Sequence, residues 1–460
     1  MGFTKTICDF AVETKLRNCP SQAVQNAKAA ILDTIGVSIA GKSTLVSKLV
    51  LEYIKESLNG KGISSIFTTG IKTSSEKAAF VNGIMAHAHD WDDAAWSMTG
   101  HPSAPMLPAL IALGEQENIS GEEILEAYIV GFEIMGKIGI LINPAQVRRG
   151  WHPTATLGVL GAAIGSGKLL KLTTEEMRSC FGIAASQASG LRQNFGTDTK
   201  AFHCGHAARN GIIAAKLAQK GVFSDRNIVE SDMGIIHTFA GESQADMDKV
   251  IDALGNPLDI LNPGLAIKRF PCSTQTHAAI LCTLYLLEKH SIDYRDVSKV
   301  SCGLNHLSSK SLIRTNPKKG TEGKYSIQFC LAIALIDGMI TPSQFTDEKA
   351  QSPEVQDLMT KVNTYTHPEL TNIDMREGAR FMSAEVKIKL KNGNSYSHKI
   401  TSGYSIPLFN KNGFFSAELL KKFADCTIND LSENSQKKVI ESVFNIESFK
   451  TIKELTSLFG

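Results

Sequence analysis

Through most of the first two-thirds of the chain, apolar residues recur every three or four positions. In SQAVQNAKAAILDTIGVSIAG (residues 21–41) and SGEEILEAYIVGFEIMGKIGI (residues 120–140) this spacing predicts helices with a broad buried face. The second run opens with Ser120 and Glu123 at the separation of a capping box, in which each side chain takes up the other's free backbone N–H. Thr173 and Glu176 repeat the device ahead of MRSCFGIAASQASGL. Small residues crowd HPTATLGVLGAAIGSGKLL, which suits helices that approach closely inside a bundle. Its GAAIGSGKLL portion is no phosphate-binding loop, because Gly161 and Gly167 are one residue too far apart and Leu169 stands where Ser or Thr is required.

Near Ile267 the period changes from about 3.6 to 2. VSKVSCGLNHL and SAEVKIKLKNGNSYSHKIT alternate as strands do, and Asn392-Gly393 marks a hairpin turn within the second. Between them YSIQFCLAIALIDGM and SPEVQDLMTKVNTY read as helices, and SAELLKKFADC and NSQKKVIESVFNI return to helix near the C-terminus. The expected fold is mainly α with an inserted α+β domain. Residues 1–266 and 405–460 form the helical part and residues 267–404 the α+β unit, since a C-terminal piece of about 56 residues is too small to stand alone.

Composition narrows the function. The chain has 460 residues, 48 basic and 46 acidic side chains and a formal net charge of +2. No stripe or tail of Lys and Arg points to a nucleic-acid partner. No run of about 18 apolar residues points to a membrane span. The nine cysteines are scattered, with no C-x-x-C pair, which suits a reducing, cytoplasmic setting.

Candidate chemistry gathers in MAHAHDWDDAAWSMTGHPSAP, Met85 to Pro105, where three histidines and three carboxylates share one short run. One reading is a metal-dependent hydrolase using His87, His89 and Asp92. Against it, the run enters from a helix, where residues two apart point about 200° away from each other. The other reading is an acid/base pocket in the loop after the helix. Three further runs have similar polar groups among glycines and aromatics: RRGWHPTAT with His152, GLRQNFGTDTKAFHCGHAARNG with Lys200, and IKRFPCSTQTHAAI with Lys268. A fourth, GKYSIQFCLA, places Tyr325 at a helix start. Two imidazoles, two ammonium groups, a carboxylate and a phenol suit binding and deprotonating a multiply charged carboxylate.

These runs resemble the MmgE/PrpD family, which contains dehydratases of 2-methylcitrate, decarboxylases of cis-aconitate and epimerases of iminodisuccinate. DWDDA…HPSAP, GWHPTAT, FGTDTK…H.G.AARNG, KRFPC…H and KYSIQF stand in the family's order over nearly the whole chain. The resemblance implies a large all-helical domain from both chain ends, a smaller inserted α+β lid, a homodimer, no cofactor, and a metal-free site between the domains. It implies Asp90, His101, His152 and Lys200 as catalytic residues, with Lys268 and Tyr325 binding a small di- or tricarboxylate substrate. The expected activity is a lyase, with an epimerase or isomerase as alternative. One departure bears on the substrate: Ala94 stands where the family usually has Thr, so a hydroxyl is missing beside the paired aspartates.

Overall fold

Two large hydrophobic cores hold most of the buried apolar side chains among the described residues. The computed structural model describes residues 2–58, 62–241, 246–370, 382–401 and 405–459. Residues 402–404, where the sequence reading put the end of the α+β unit, lie outside the described residues. The larger core takes buried side chains from Phe3 through Ile267 and again from Ile406 to Phe459. The smaller one runs from Phe270 to Ile388. The molecule is mainly helical, with a smaller α/β part.

The longer helices of the first region are α1 (Phe3–Glu13), α2 (Ser21–Gly41), α3 (Leu45–Lys55), α4 (Ser75–Ala88), α5 (Ser103–Glu117), α6 (Gly121–Ile142), α7 (Gly158–Leu169), α8 (Thr174–Ala185) and α9 (Asp198–Gln219). Both capping boxes form: Ser120 with Glu123 begins α6, and Thr173 with Glu176 begins α8. The small-residue run lies in α7, buried along nearly its whole length against α6 and α9. At the crossing of α4 and α9 the backbones all but touch. A Cβ on Gly83 would sit 2.9 Å from Cα of Gly205, and one on Gly205 would sit 2.1 Å from the Phe80 carbonyl oxygen. Only glycine permits this approach, and it brings the last turn of α4 against the first turns of α9. Among the described residues no single helix is long and apolar enough to cross a membrane.

The α/β part holds α10 (Thr274–His290), α11 (Ile327–Asp337) and α12 (Pro353–Lys361), followed in the larger core by α13 (Ala417–Thr427) and α14 (Glu433–Phe444). In chain order the strands are β1 (Ser64–Ile66), β2 (Ile71–Thr73), β3 (Ala94–Ala95), β4 (Leu265–Lys268), β5 (Val297–Leu304), β6 (Val362–Thr366), β7 (Ala384–Leu390), β8 (Ser395–Ile400) and β9 (Ser405–Ile406). The main sheet has the order β6-β5-β7-β8, with β5 and β6 parallel and the other pairs antiparallel. The Asn392-Gly393 turn joins β7 to β8, with Gly393 at φ +92°. SPEVQDLMTKVNTY is not one helix, because α12 stops at Lys361 and Val362–Thr366 becomes β6. Its β-branched and aromatic residues, Val, Thr and Tyr, gain a partner strand in β5 that helical spacing does not anticipate.

A small three-stranded sheet, β3-β4-β9, ties the two regions together. Ala94 pairs with Ala266, Ile267 with Ile406 and Lys268 with Ser405. The chain therefore leaves the larger core and returns to it side by side, directly next to the acidic run.

Candidate active site

The acidic run reverses direction twice. α4 ends at Ala88, and Asp90 follows with φ +54°, a left-handed conformation that Asp tolerates better than most side chains. After β3 a tight turn pairs Ala95 with Gly100 and carries His101 back over the aspartates. Gly100 is needed there, since a Cβ would lie 2.9 Å from the backbone nitrogen of Thr154. Thr154 in turn accepts the His101 backbone N–H at 3.0 Å.

Asp90 is the hub. Its Oδ1 accepts from Lys268 Nζ at 2.6 Å and Lys200 Nζ at 3.1 Å, and its Oδ2 accepts from the Tyr325 hydroxyl at 2.6 Å. Lys268 also donates to the Asp90 carbonyl at 2.8 Å. Burial alone would raise the Asp90 pKa, but Lys200 and Lys268 overcome it and hold the carboxyl well below its usual value. Lys200 reaches this point from the first turn of α9, Lys268 from the end of β4 and Tyr325 from just before α11. The ammonium of Lys200 also lies over the rings of Phe195 and Tyr325, at 5.5 and 5.6 Å.

The three aspartates sit in different environments. Asp92 Oδ2 faces His87 Nδ1 at 2.8 Å and His101 Nδ1 at 3.4 Å, and although burial opposes it, these histidines keep the acid strongly ionised. Asp93 accepts from Ser103 Oγ at 2.5 Å, and Ser103 also meets the Tyr128 hydroxyl at 2.7 Å. Burial, together with the nearby Asp33 and Asp92, pushes Asp93 up to about 8 despite that hydrogen bond. Asp93 is therefore mostly protonated at neutral pH.

His101 Nδ1 lies 2.8 Å from the Asp93 carbonyl, which fixes the ring proton on Nδ1 and leaves the Nε2 lone pair on the pocket side, 3.6 Å from Asp90 Oδ1. Burial, with Lys268, Lys200 and His87, holds its pKa well below the ordinary histidine value. A cavity of about 110 Å³ opens beside it, lined by Asp90, Ala94, His101, Arg192, Lys200, Lys268 and Tyr325 among others.

His152 stands elsewhere. It makes no part of that cavity wall and packs edge-on against Phe195 at 4.9 Å, with Nδ1 3.1 Å from Nδ1 of His203. Burial and nearby cations lower both pKa values, His203 to about 4 and His152 well below normal, so two neutral rings share one hydrogen. Of the six residues expected from the sequence, five converge on the cavity and His152 backs it.

The metal set read from the sequence does not assemble as written. His89 turns away, with Nε2 3.3 Å from the Ala40 carbonyl. Donor atoms of His87, Asp90, Asp92 and His101 do lie within 4.8 Å of one another. Most of their lone pairs are already met by hydrogen-bond donors, although Asp92 Oδ1 has no partner among the described residues and His101 Nε2 faces the cavity. Lys200 Nζ is 2.5 Å from His87 Nε2 and 3.1 Å from Asp90 Oδ1, and His87 Nδ1 faces Asp92. A divalent cation taking Asp90 Oδ1 or His87 Nε2 as a ligand would have to displace buried ammonium groups.

Sequence reasoning missed His87 as a partner of Lys200, and it also missed Arg192, Phe195 and Lys324. Arg192 and Phe195 sit in the same polar run as Lys200, and Lys324 precedes Tyr325, so their signal was present as neighbours. Lys324 donates to the Ala88 carbonyl at 2.9 Å, and burial lowers its pKa to about 8.

The pocket, where a helical core meets an α/β unit, gathers cations, a carboxylate and a histidine that could receive a small polyanion and exchange protons with it. The chain belongs to the MmgE/PrpD family. The family's N-terminal domain matches residues 5–248 and its C-terminal domain residues 270–447. It is 28% identical to cis-aconitate decarboxylase of Homo sapiens over 96% of this chain and 92% of that protein. It is 27% identical to cis-aconitate decarboxylase of Aspergillus terreus over 100% and 96%. It is 24% identical to 2-methylcitrate dehydratase of Escherichia coli K12 over 76% and 74%. The activities these relatives are named for are lyase reactions.

Proposed function

We propose that the protein is a metal-free lyase acting on a tricarboxylate or related unsaturated or hydroxy acid, with cis-aconitate as the first substrate to test. The observation that carries this reading is the convergence of Lys200, Lys268 and Tyr325 on one buried carboxylate beside a neutral histidine whose lone pair faces the cavity. Breaking a bond next to a carboxylate leaves an electron pair that the substrate's carboxylates repel, so cations fixed nearby stabilise the transition state. The match to decarboxylases over nearly the full chain points to the reaction class.

In decarboxylation the C–C bond breaks, carbon dioxide leaves, and its electron pair shifts through the double bond to the far carbon. That carbon takes a proton from the Lys200 ammonium, and solvent later reprotonates the resulting amine. In dehydration His101 Nε2 takes the proton from carbon, and Lys200 gives one to the departing hydroxyl, which leaves as water. Lys268 and Tyr325 hold substrate carboxylates in either case, and His152 supports the wall that carries Phe195. The α/β part acts as a lid, because Lys268, Lys324 and Tyr325 come from its side while Asp90, His101 and Lys200 come from the helical core.

Purified protein incubated with cis-aconitate, 2-methylcitrate and iminodisuccinate in deuterated water tests this reading. Carbon dioxide release or alkene formation supports it. Deuterium uptake with the carbon skeleton intact and no elimination would assign an epimerase instead.

A further inference from the structure

The Lys200 ammonium has three N–H bonds, and the structure accounts for two of them. One faces His87 Nε2 at 2.5 Å and another Asp90 Oδ1 at 3.1 Å. Lys200 also lines the cavity, so the third is free to point at a bound acid. For His87 to accept from an ammonium its proton must be on Nδ1, and Asp92 Oδ2, 2.8 Å from Nδ1, puts it there. Both side chains are fully buried, which removes water as a competing partner.

We propose that Asp92 and His87 are positioning residues for Lys200: Asp92 sets the His87 tautomer, and the resulting Nε2 lone pair fixes the ammonium so that its remaining N–H is aimed at the substrate. Neither residue touches the cavity's reacting side in the role assigned. The inference rests on the lyase reading only for the identity of the proton's destination, and its geometry stands apart from it.

Other ionisable groups face this pair. The His101 ring is 4.7 Å from His87, the His152 ring 5.9 Å, and Asp90 sits across Lys200. His203 and Cys204 approach from α9. Among the described residues, only Asp92 and Lys200 lie within hydrogen-bond distance of the two His87 ring nitrogens. That separates a tautomer effect from a general change in charge.

Three variants of the full chain make the test. Gln in His87→Gln can still present an oxygen to Lys200 and an N–H to Asp92, whereas His87→Leu can do neither. In Asp92→Asn the amide donates to Nδ1 and drives the ring proton to Nε2, setting N–H against N–H. We expect kcat on cis-aconitate to fall about 10²-fold in His87→Leu and Asp92→Asn, as for a misplaced catalytic group. KM should change less than about threefold, and His87→Gln should recover most of the loss. Independently of turnover, 15N spectra of histidine-labelled protein should show His87 protonated on Nδ1, with its Nε2 resonance moving in Lys200→Met. An Nε2-protonated His87 in the wild type, or equal losses in the Gln and Leu variants at unchanged melting temperature, would overturn the proposal. If the wild type turns over none of the acids but the spectra show the Nδ1 tautomer and its response to Lys200→Met, the lyase reading fails and the positioning stands.

Discussion

Asp90→Asn keeps the shape of the hub and removes its charge, leaving Lys200 and Lys268 buried with a neutral partner. At 2.6 and 3.1 Å the two gross attractions are about 6 and 5 kcal/mol for an effective dielectric of about 20. Desolvation of the three groups offsets most of that, and removing one partner of a buried ion pair costs about 3–5 kcal/mol net. An unfolding entropy of about 2.1 cal/mol/K per residue makes about 1 kcal/mol/K for a chain of 460 residues, so the melting temperature should drop by about 3–5 °C. The two ammonium groups then lack an anion that a ligand can supply. Citrate, a tricarboxylate, should therefore raise the melting temperature of Asp90→Asn by more than it raises that of the wild type. Differential scanning fluorimetry across a citrate series reads both effects. A variant that melts within 1 °C of wild type, with an identical citrate response, would refute the assignment of Asp90 as the internal counter-ion of the cation pair.

Four further outcomes follow from the same geometry. His101→Gln keeps the hydrogen bond to the Asp93 carbonyl but removes the base, so dehydration and solvent deuterium exchange should fall about 10²–10⁴-fold, while decarboxylation, which draws its proton from Lys200, falls less; equal losses in stopped assays would contradict that division. Lys268→Met should raise KM more than it lowers kcat, measured by initial rates. Prolonged chelator treatment followed by metal analysis should leave activity intact, and loss restored by zinc or iron would sink the metal-free reading. Asp93, raised by burial from 3.8 to about 8, favours folding at acid pH and loses that contribution as pH rises through this window, so the stability of Asp93→Asn relative to wild type should increase from pH 4 to pH 8 in denaturant titrations and then level off.

How far this was legible in the sequence differs from element to element. The capping boxes at Ser120 and Thr173 and the hairpin at Asn392-Gly393 are local devices whose partners lie within three or four residues, so spacing alone announces them. β6 was hidden because Val362–Thr366 gains its strand character from a parallel partner some 60 residues earlier in the chain. In the site, helical geometry correctly separates His87 from His89. It says nothing of the reversal at Asp90, which brings Asp92 back onto His87. His152 shows the opposite problem. Its motif places it in the right neighbourhood, but whether a ring lines a cavity or backs it depends on the packing of Phe195 and His203, which no periodicity encodes.

The sequence DWDD spends three like residues within four positions, and the fold gives each a different charge state for a reason. Asp90 and Asp92 are ionised by the lysines and histidines around them, while Asp93, with no cation in contact, is mostly protonated. Were Asp93 ionised as well, its charge would act on His101 through the carbonyl that already holds the imidazole's Nδ1 proton. The ring would then favour the imidazolium, and the lone pair needed at Nε2 would be lost. Along the cavity wall Arg192, Lys200 and Lys268 outnumber Asp90 by two, so the pocket is left with a positive excess. That excess draws in a polyanion, while the neutral histidines keep the proton balance poised to respond to its arrival. The protonated state of Asp93 is thus part of the chemistry, although its side chain takes no part in the cavity wall.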